Sequence, residues 1–443
     1  MTSFLLLAGC GRQTDGSPAV SKPAGRSDAG TTVNGTTLDT GLTARLSLYM
    51  DLSLSDEWLR QFVIDPVRKK FPNMTIDIVR KKEGAGPGDL VAAGSFPDLL
   101  YSSTPRLTQY RDLGLLYDMR ELSKKHNVPL DRLNKPALDA LEQWGRGGEL
   151  YGLPLWVNYT ALYYNKDLFD RFGVPYPKDG MTWDETIELS KRLTRSDGNT
   201  AYRGLDIHDM NGLYSQLSLP YVDPKTDAAL LDTDGFKTVY ATMQKLYSIP
   251  GNGNRTPAKD AFLKDMTLAM WPMYADVPAW INDLVAKGTP FNWDMAQMPS
   301  FPARPGVGWQ VDSHNLHVTS TSANKEAAFS AVAYLLSAEP QLELAKYGLP
   351  PSLNDDEWNR HFGEGMPIFK GKHIEAVFKS KPAPKYTMTP YDSIAMSAFT
   401  GSFKDVESGV KDINTALREA KETADRNIRE KKASENKGNM IGF

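Results

Sequence analysis

ARLSLYM (Ala44–Met50) alternates in polarity, is rich in β-forming residues and predicts the first β-strand of the chain. Asp56–Phe71 follows with apolar residues at helical spacing, and MTIDIV (Met74–Val79) predicts a second strand. Asp89–Ala93 predicts a short helix, and DLLY (Asp98–Tyr101) predicts a third strand. This alternation of strand and helix is typical of a parallel sheet covered by helices. The sequence therefore predicts an α/β fold.

Polar side chains follow two of these predicted strands. Asp51 comes directly after the first strand, and Ser102 follows the third. Ligands of open α/β sheets gather beyond the carboxyl ends of the strands. We therefore predict that Asp51 and Ser102 lie at a ligand site.

Size and charge narrow the class of protein. The chain has 443 residues, which is too long for one hydrophobic core and suits two packed units. Its 51 basic and 54 acidic residues give a net charge of −3, so no strong positive field favours nucleic acid. No apolar run approaches the roughly 20 residues that a membrane-spanning helix requires.

The first forty residues contain the single cysteine, Cys10, which follows the apolar run Phe4–Ala8 and Gly9. This string resembles a bacterial lipobox, in which the cysteine becomes the lipidated first residue of the mature protein. The three residues before the apolar run carry no Lys or Arg, so a start upstream or an incidental cysteine stays an alternative. Residues 11–41 are mostly small and polar and predict a disordered tether behind a signal remnant at residues 1–10.

Motifs of catalysis are missing from the sequence. We find no Gly-x-Ser-x-Gly elbow, no phosphate-binding loop, no His-Glu-x-x-His and no Cys-x-x-Cys. His314 and His317 stand three apart in a predicted strand, which places them on opposite faces and argues against a metal pair. We predict no catalytic residue, metal or cofactor, although the many carboxylates leave a glycosidase pair open.

The most informative stretch is ELYGLPLWVNYTALYYNKDLFDRFGVPYPKDGMTWDE (Glu149–Glu185). It resembles the family 1 extracellular solute-binding proteins, the maltose-binding-protein-like receptors of ABC importers. The matching positions are Tyr151–Pro154, Tyr164–Lys166, Leu168, Phe169, Gly173, Pro175 and Thr182–Glu185. The likeness extends from about Ala44 to the C-terminus and is weakest over residues 201–253 and after Leu353. Within the stretch, Thr182 is predicted to cap a helix over Asp184–Leu193.

The resemblance implies two α/β lobes joined by crossing segments, with the ligand in the cleft between them. The N-lobe would comprise residues 42–156 and 296–338, and the C-lobe residues 157–295 and 339–443. Hinge closure around the solute would be recognised by ABC permease subunits. The protein would be a monomer on the extracellular face of the bacterial membrane, or in the periplasm of a cell with an outer membrane. It would contact the membrane through a lipid anchor only.

A sugar cleft needs flat aromatic rings for C–H faces and directed polar groups for hydroxyls. The resemblance places candidates at the first crossing strand, in a C-lobe loop, before a predicted strand over residues 315–319, and behind the third strand. These candidate ligand-binding residues are Trp156, Asn158 and Tyr159; Trp271 and Tyr274; Trp309, Asp312 and His314; and Arg106. For each aromatic ring, and for His314, packing inside a lobe is the alternative; for Arg106 it is a place on a helix surface.

Three functions are compatible with these patterns. The first is capture of a mono- or oligosaccharide, or another polar solute, for an importer. The second is a cell-surface enzyme acting on polysaccharides, which requires two carboxylates at glycosidase separation. The third is a binding protein that delivers to a sensor kinase.

The C-terminal part predicts one long helix. Phe403–Lys432 places Val406, Val410 and Leu417 on one apolar stripe.

Overall fold

The computed structural model describes residues 31–33, 36–145, 147–207, 210–253, 256–354, 358 and 360–441. The strands are β1 Thr31–Val33, β2 Thr36–Leu38, β3 Ala44–Met50, β4 Met74–Arg80, β5 Leu99–Ser103, β6 Leu153–Asn158, β7 Thr160–Asn165, β8 Arg195–Asp197, β9 Thr200–Leu205, β10 Leu268–Tyr274, β11 Trp293–Gln297, β12 Val307–Gln310, β13 Asp312–Val318 and β14 Lys381–Ala383.

The α-helices are α1 Asp56–Leu59, α2 Asp65–Lys70, α3 Pro87–Ala92, α4 Leu107–Asp112, α5 Arg120–Lys125, α6 Lys135–Glu142, α7 Lys166–Phe172, α8 Trp183–Leu193, α9 Met210–Gln216, α10 Asp234–Tyr247, α11 Val277–Ala286, α12 Lys325–Leu335, α13 Ala338–Lys346, α14 Asp392–Glu407 and α15 Ile413–Ile441. Short π-helical turns occupy Arg60–Ile64 and Asp260–Lys264. The 3₁₀ turns are Thr104–Arg106, Leu130–Arg132, Pro367–Phe369 and Ile374–Phe378.

The first lobe is built on a five-stranded sheet in the order β4-β3-β5-β13-β6. β3 pairs parallel with β4 and β5, and β13 runs antiparallel between β5 and β6. Leu46 and Leu48 of β3 point into the main core of this lobe, whereas Tyr49 points into a smaller cluster on the other face. Apolar cores therefore cover both faces of the sheet, as parallel sheets require.

The second lobe is built on a five-stranded sheet in the order β11-β7-β10-β9-β8. All six residues of β7 are buried because both faces of the strand are covered. Leu162 and Tyr164 contact a core formed with α8, α10, α14 and α15, while Ala161 and Tyr163 contact a second core on the opposite face. The two lobes confirm the predicted α/β fold with two discontinuous lobes.

Two short segments of the chain cross between the lobes, and they lie next to each other. Only Tyr159 separates β6 of the first sheet from β7 of the second, and only Val311 separates β12 from β13. Asn158, the last residue of β6, is the register partner of Asp312, the first residue of β13. Residues at these crossings therefore lie at the boundary between the lobes.

The predicted lobe boundaries differ from the structure in two places. Residues 296–311, predicted in the N-lobe, lie in the C-lobe because Ala296 pairs with β7 and Phe301 packs in the C-lobe core. Helix α13, predicted in the C-lobe, lies in the N-lobe because Leu344 and Ala345 pack in the N-lobe core. The return to the N-lobe begins at Asp312, where β13 enters the first sheet.

The last residues of the predicted disordered tether are folded in the structure. β1 and β2 pair antiparallel within residues 31–38, and Leu38 is buried in the N-lobe core. Because burial of the apolar Leu38 in this core is favourable, residues 36–41 belong to the folded N-lobe and not to a tether. Residues 11–30 and Cys10 lie outside the described residues.

Candidate functional site

A cavity of about 420 Å³ opens between the two lobes. This volume lies in the range of small-molecule sites. Its wall is formed by residues of both lobes. They come from helix α4, the loop after α6, helix α9, strands β10, β12 and β13, and the segment from residue 385 into α14. They are Thr108, Trp144, Gly212, Tyr214, Ser215, Tyr221, Met273, Tyr274, Trp309, Gln310, Val311, Asp312, Lys385, Tyr386, Met388, Asp392, Ser393 and Met396.

Two aromatic rings of the C-lobe, one from β10 and one from β12, meet at the cavity wall. The ring centroids of Tyr274 and Trp309 lie 5.4 Å apart at an interplanar angle of 74°. The indole of Trp309 also packs directly on Gly212 of α9, where an added Cβ would lie 2.3 Å from the ring. The Nε1 of Trp309 is buried and finds no acceptor among the described residues. Trp309 is therefore held in place: it is 5% exposed, packs in the C-lobe core and borders the cavity, and the Nε1 edge of its ring lies against Gly212.

Asp312 supplies a carboxylate to the same wall. Its Oδ1 is buried without a hydrogen-bond partner in the part of the chain that the structure describes. Burial raises the pKa of Asp312 to about 6, while the positive charges of Lys385 and Arg106 act in the opposite direction. A buried acceptor without a donor costs free energy until a partner arrives.

Lys385 adds a positive charge to the cavity. Burial lowers the pKa of its ammonium group, and the charge of Asp312 opposes that shift. Within the described ranges, no ion pair of 4.0 Å or less joins Lys385 to Asp312. The cavity wall therefore carries aromatic rings, the Lys385 ammonium as a hydrogen-bond donor and the Asp312 carboxylate as an acceptor. The donor and the acceptor do not form an ion pair with each other.

Three of the eleven predicted ligand-binding residues line this cavity: Tyr274, Trp309 and Asp312. The other eight lie elsewhere, and their environments differ.

Trp156 and His314 pack inside the N-lobe. Trp156 is 1% exposed, its Nε1 donates to Tyr101 Oη at 2.9 Å, and its ring centroid lies 4.1 Å from that of His314. Burial lowers the pKa of His314 to about 3, so the imidazole is neutral. Both side chains contact Tyr101 and neither lines the cavity, which is the packing alternative; their contact with solute stays a prediction.

Trp271 and Tyr159 are likewise held by protein contacts. Trp271 is 1% exposed and stacks on Trp280 with ring centroids 5.9 Å apart, inside the second C-lobe core. The hydroxyl of Tyr159 accepts a hydrogen bond from Asn134 Nδ2 at 2.7 Å. Both aromatic residues pack in cores, which was the alternative to ligand contact.

Asn158 lies close to the cavity without lining it. The side chain is 3% exposed, and its Oδ1 has no hydrogen-bond partner among the described residues. Asn158 is the register partner of Asp312 on the antiparallel strand β6, so the two residues lie next to each other on the same face of the sheet.

Asp51 follows β3 at the carboxyl edge of the first sheet, where the strand-end rule places it, and Arg106 lies next to it; Ser102, predicted to follow the third strand, lies inside β5 because that strand extends to Ser103. Tyr110 donates to Asp51 Oδ2 at 2.6 Å, and Arg106 Nη1 donates to Asp51 O at 3.3 Å. Burial raises the pKa of Asp51, whereas the bond from Tyr110 lowers it. Ser102 is fully buried within β5. These residues lie beside the cavity, and Thr108 of the next turn lines it instead.

Sequence reasoning missed most of the cavity wall. The missed residues include Gly212–Tyr221 and Lys385–Met396, which lie in the two parts of the chain where the family likeness is weakest. Methionine and tyrosine there carry no motif that separates a cavity wall from a core. Tyr214 and Tyr221, the two aromatic residues of that run, offered the best available signal.

Two further properties of the described residues concern metal binding and membranes. No group of three or more His, Cys, Asp or Glu side chains there is arranged to hold a metal ion. No described helix has the length and apolar character needed to cross a membrane.

Comparison with known proteins places the chain in a family. The family model of the bacterial extracellular solute-binding proteins matches residues 54–342. A multiple sugar-binding protein of Streptococcus mutans is 26% identical over 142 residues, which cover 31% of this chain and 31% of that protein. An arabinooligosaccharide-binding protein of Halalkalibacterium halodurans is 26% identical over 106 residues, or 19% of this chain and 24% of that protein. The aligned parts thus span less than a third of either relative.

Solved structures share the fold over nearly their whole length. An ABC substrate-binding protein of Listeria monocytogenes in complex with cycloalternan superposes with a TM-score of 0.69 at 19% identity, covering 87% of this chain and 99% of that one. A solute-binding protein of Thermotoga lettingae bound to α-D-tagatose gives 0.67 at 18% identity, covering 87% and 100%. The two-lobed fold, the cavity between the lobes and the match over residues 54–342 agree: this chain belongs to the family of bacterial extracellular solute-binding proteins.

Proposed function

We propose that this protein captures a carbohydrate in the cavity between its lobes and delivers it to an ABC importer. The observation that carries the proposal is the aromatic pair Trp309 and Tyr274 beside the partnerless Asp312 oxygen. Sugar C–H faces pack on rings, and sugar hydroxyls supply the donors and acceptors that buried polar groups lack. The sugar-binding relatives and the sugar-bound neighbours of the fold support the same solute class.

The crossings suggest how capture is signalled. β6–β7 and β12–β13 each pass between lobes through a single residue, so small backbone rotations there change the angle between lobes. A solute that contacts Thr108 of the N-lobe and Trp309 of the C-lobe favours the closed form, because only that form makes both sets of contacts. Permease subunits would recognise the closed monomer. The solute leaves chemically unchanged.

Isothermal titration calorimetry against neutral mono- and oligosaccharides tests this proposal. We expect at least one sugar to bind the wild-type protein, and Trp309→Ala to weaken that binding about tenfold or more, since loss of a stacking ring removes roughly 1.5 kcal/mol or more. Trp156→Phe is the matched control because Trp156 packs outside the cavity. Binding of no sugar by a folded wild-type protein would overturn the proposal.

We further propose that Cys10 carries a lipid that holds the protein on the extracellular side of the membrane. The support is the apolar run before Cys10 and the small residues at Ala8 and Gly9. Growth of a bacterial host with an alkyne fatty acid should label the wild-type chain, and Cys10→Ala should abolish the label. A label that persists in the variant would contradict lipidation at this position.

A further inference from the structure

One end of the cavity carries a buried carboxylate with an unused oxygen. Asp392 is the first residue of α14, lines the cavity and is 5% exposed. Its Oδ1 accepts hydrogen bonds from Thr389 N at 3.1 Å and from Thr389 Oγ1 at 2.7 Å. Its Oδ2 is buried and has no hydrogen-bond partner in the part of the chain that the structure describes. The protein therefore holds one oxygen of Asp392 and leaves the other for a ligand.

The charges along the cavity wall are unequal. Among the described residues that line the cavity, Asp312 and Asp392 are acidic and Lys385 is basic. Asp312 and Lys385 influence the pKa of each other, and Arg106 acts on Asp312 as well. Burial raises the pKa of Asp392, and no basic residue of the described chain opposes that shift. The cations near the cavity therefore act on Asp312 and leave the charge of Asp392 uncompensated.

Aromatic side chains lie beside Asp392. Tyr214, Tyr221 and Tyr386 line the same cavity. The ring centroids of Tyr214 and Tyr221 lie 4.6 Å apart at an interplanar angle of 53°. The hydroxyl of Tyr386 lies close enough to Asp392 to lower the pKa of that carboxyl, and Tyr386 is within electrostatic range of Tyr214. This end of the cavity therefore combines a carboxylate with aromatic rings.

These groups are complementary to a positive charge. The faces of aromatic rings attract cations, and a hydrogen bond between two charged groups is stronger than one between neutral groups. The N-terminus of helix α14 favours the ionised form of Asp392. A sugar hydroxyl satisfies the unused oxygen but leaves the negative charge uncompensated. A protonated amine satisfies the oxygen, compensates the charge and packs on the rings.

We propose that Asp392, Tyr214 and Tyr386 bind a protonated amino group of the solute, so that the captured carbohydrate is an amino sugar. This inference rests on the proposed carbohydrate capture. The amine binds away from Lys385, whose pKa responds to Asp312 and not to Asp392. The rest of the sugar then occupies the part of the cavity that Asp312 and Lys385 border.

Calorimetry that compares matched sugars tests the amine site. The probes are the tightest neutral sugar and its amino-deoxy analogues, each of which replaces one hydroxyl by an amine at a different ring position. For the wild type we expect one amino-deoxy analogue to bind about tenfold or more tightly than the neutral sugar. N-acetylation of that analogue removes its positive charge and should abolish the gain in affinity.

Variants of the wall assign the gain to this end of the cavity. Asp392→Asn keeps the acceptor for Thr389 and removes the charge, so it should weaken the amino sugar by about 10- to 100-fold and the neutral sugar by less than about threefold. Tyr386→Leu should weaken the amino sugar by about three- to tenfold. Asp412→Asn is the matched control, because Asp412 lies just before α15, accepts from Thr415 N at 3.1 Å and Thr415 Oγ1 at 2.6 Å, and is exposed. It should bind both sugars within about twofold of the wild type. Circular dichroism melts establish that each variant is folded.

The outcomes separate this inference from the proposed function. If the wild type binds a neutral sugar and no amino-deoxy analogue binds more tightly, the amine site is refuted while carbohydrate capture stands. The same holds if Asp392→Asn keeps the full preference for the amino sugar. The analogue comparison needs only wild-type protein, so it decides the matter even where Asp392→Asn does not fold. If a folded wild-type protein binds neither neutral nor amino sugars, capture and the amine site fall together.

Discussion

Gly212→Ala is the substitution that probes the cavity wall most sharply. Gly212 lies in helix α9 with the Trp309 indole packed against it, and an added Cβ would lie 2.3 Å from one ring atom and 2.4 Å from another. Ordinary contact begins at 3.4 Å, so the ring or the helix has to move by about 1 Å. Overpacking of this kind costs typically 1–3 kcal/mol.

Helix propensity makes a second contribution to the stability of Gly212→Ala, and this contribution is stabilising. Alanine stabilises a helix interior by about 1 kcal/mol relative to glycine. The net expectation for Gly212→Ala is a loss of roughly 0–2 kcal/mol in the free energy of unfolding. Gly401→Ala is the matched control, because Gly401 lies inside α14 with nothing within 4 Å of an added Cβ. In Gly401→Ala only the higher helix propensity of alanine acts, so the free energy of unfolding should rise by about 0.5–1 kcal/mol.

Urea unfolding and calorimetric titration of the best neutral sugar provide the readout. Gly212→Ala should be less stable than Gly401→Ala and should bind about tenfold more weakly or worse, because Trp309 is displaced from the wall. Gly401→Ala should keep wild-type affinity. If Gly212→Ala is as stable as Gly401→Ala and binds sugar normally, the contact between α9 and the Trp309 ring is not part of the binding site.

Other predictions address neighbouring features. Trp156→Phe should lower stability by about 1 kcal/mol through loss of its hydrogen bond, with sugar affinity unchanged; a large loss of affinity would place Trp156 in the site after all. Asp276→Asn should be more stable than the wild type by about 1–3 kcal/mol at pH 8, because burial raises the pKa of Asp276 to about 7 and the folded protein then holds a costly charge. That advantage should shrink as the pH falls from 7 to 4, where the native carboxyl is protonated, and urea titrations showing the same advantage at pH 4 and pH 8 would contradict the assignment. Arg203→Met should cost about 3–5 kcal/mol in urea unfolding because it removes the buried cation that pairs with Asp206 at 2.6 Å, and a loss below 1 kcal/mol would show the pair to be dispensable.

Local patterns in the sequence predicted the elements well. Ala44–Met50 is a strand over the predicted residues, and Thr182 caps α8 by accepting from Glu185 N at 3.2 Å. The predicted helix Phe403–Lys432 was wrong as a single element. It is interrupted between α14 and α15, where Gly409 has a φ of +73° and Val410 is 72% exposed. A left-handed glycine ends a helix even when the apolar stripe continues beyond it.

Orientation at the site was harder to predict than position along the chain. Trp156 and Trp309 both lie at crossings between lobes, yet only Trp309 borders the cavity. The difference depends on which way β6 and β12 turn their side chains, and composition holds no information on that. Lys385 was missed because its place in the cavity comes from tertiary packing of a segment without a motif.

The most direct test of the account is a crystal structure of the full chain with its tightest-binding sugar. The account predicts a sugar ring against the Trp309 indole, with hydroxyls at hydrogen-bond distance from Asp312 and Lys385 and contact to Thr108 of the opposite lobe. A sugar bound anywhere else on the chain, with this cavity unfilled, would contradict it.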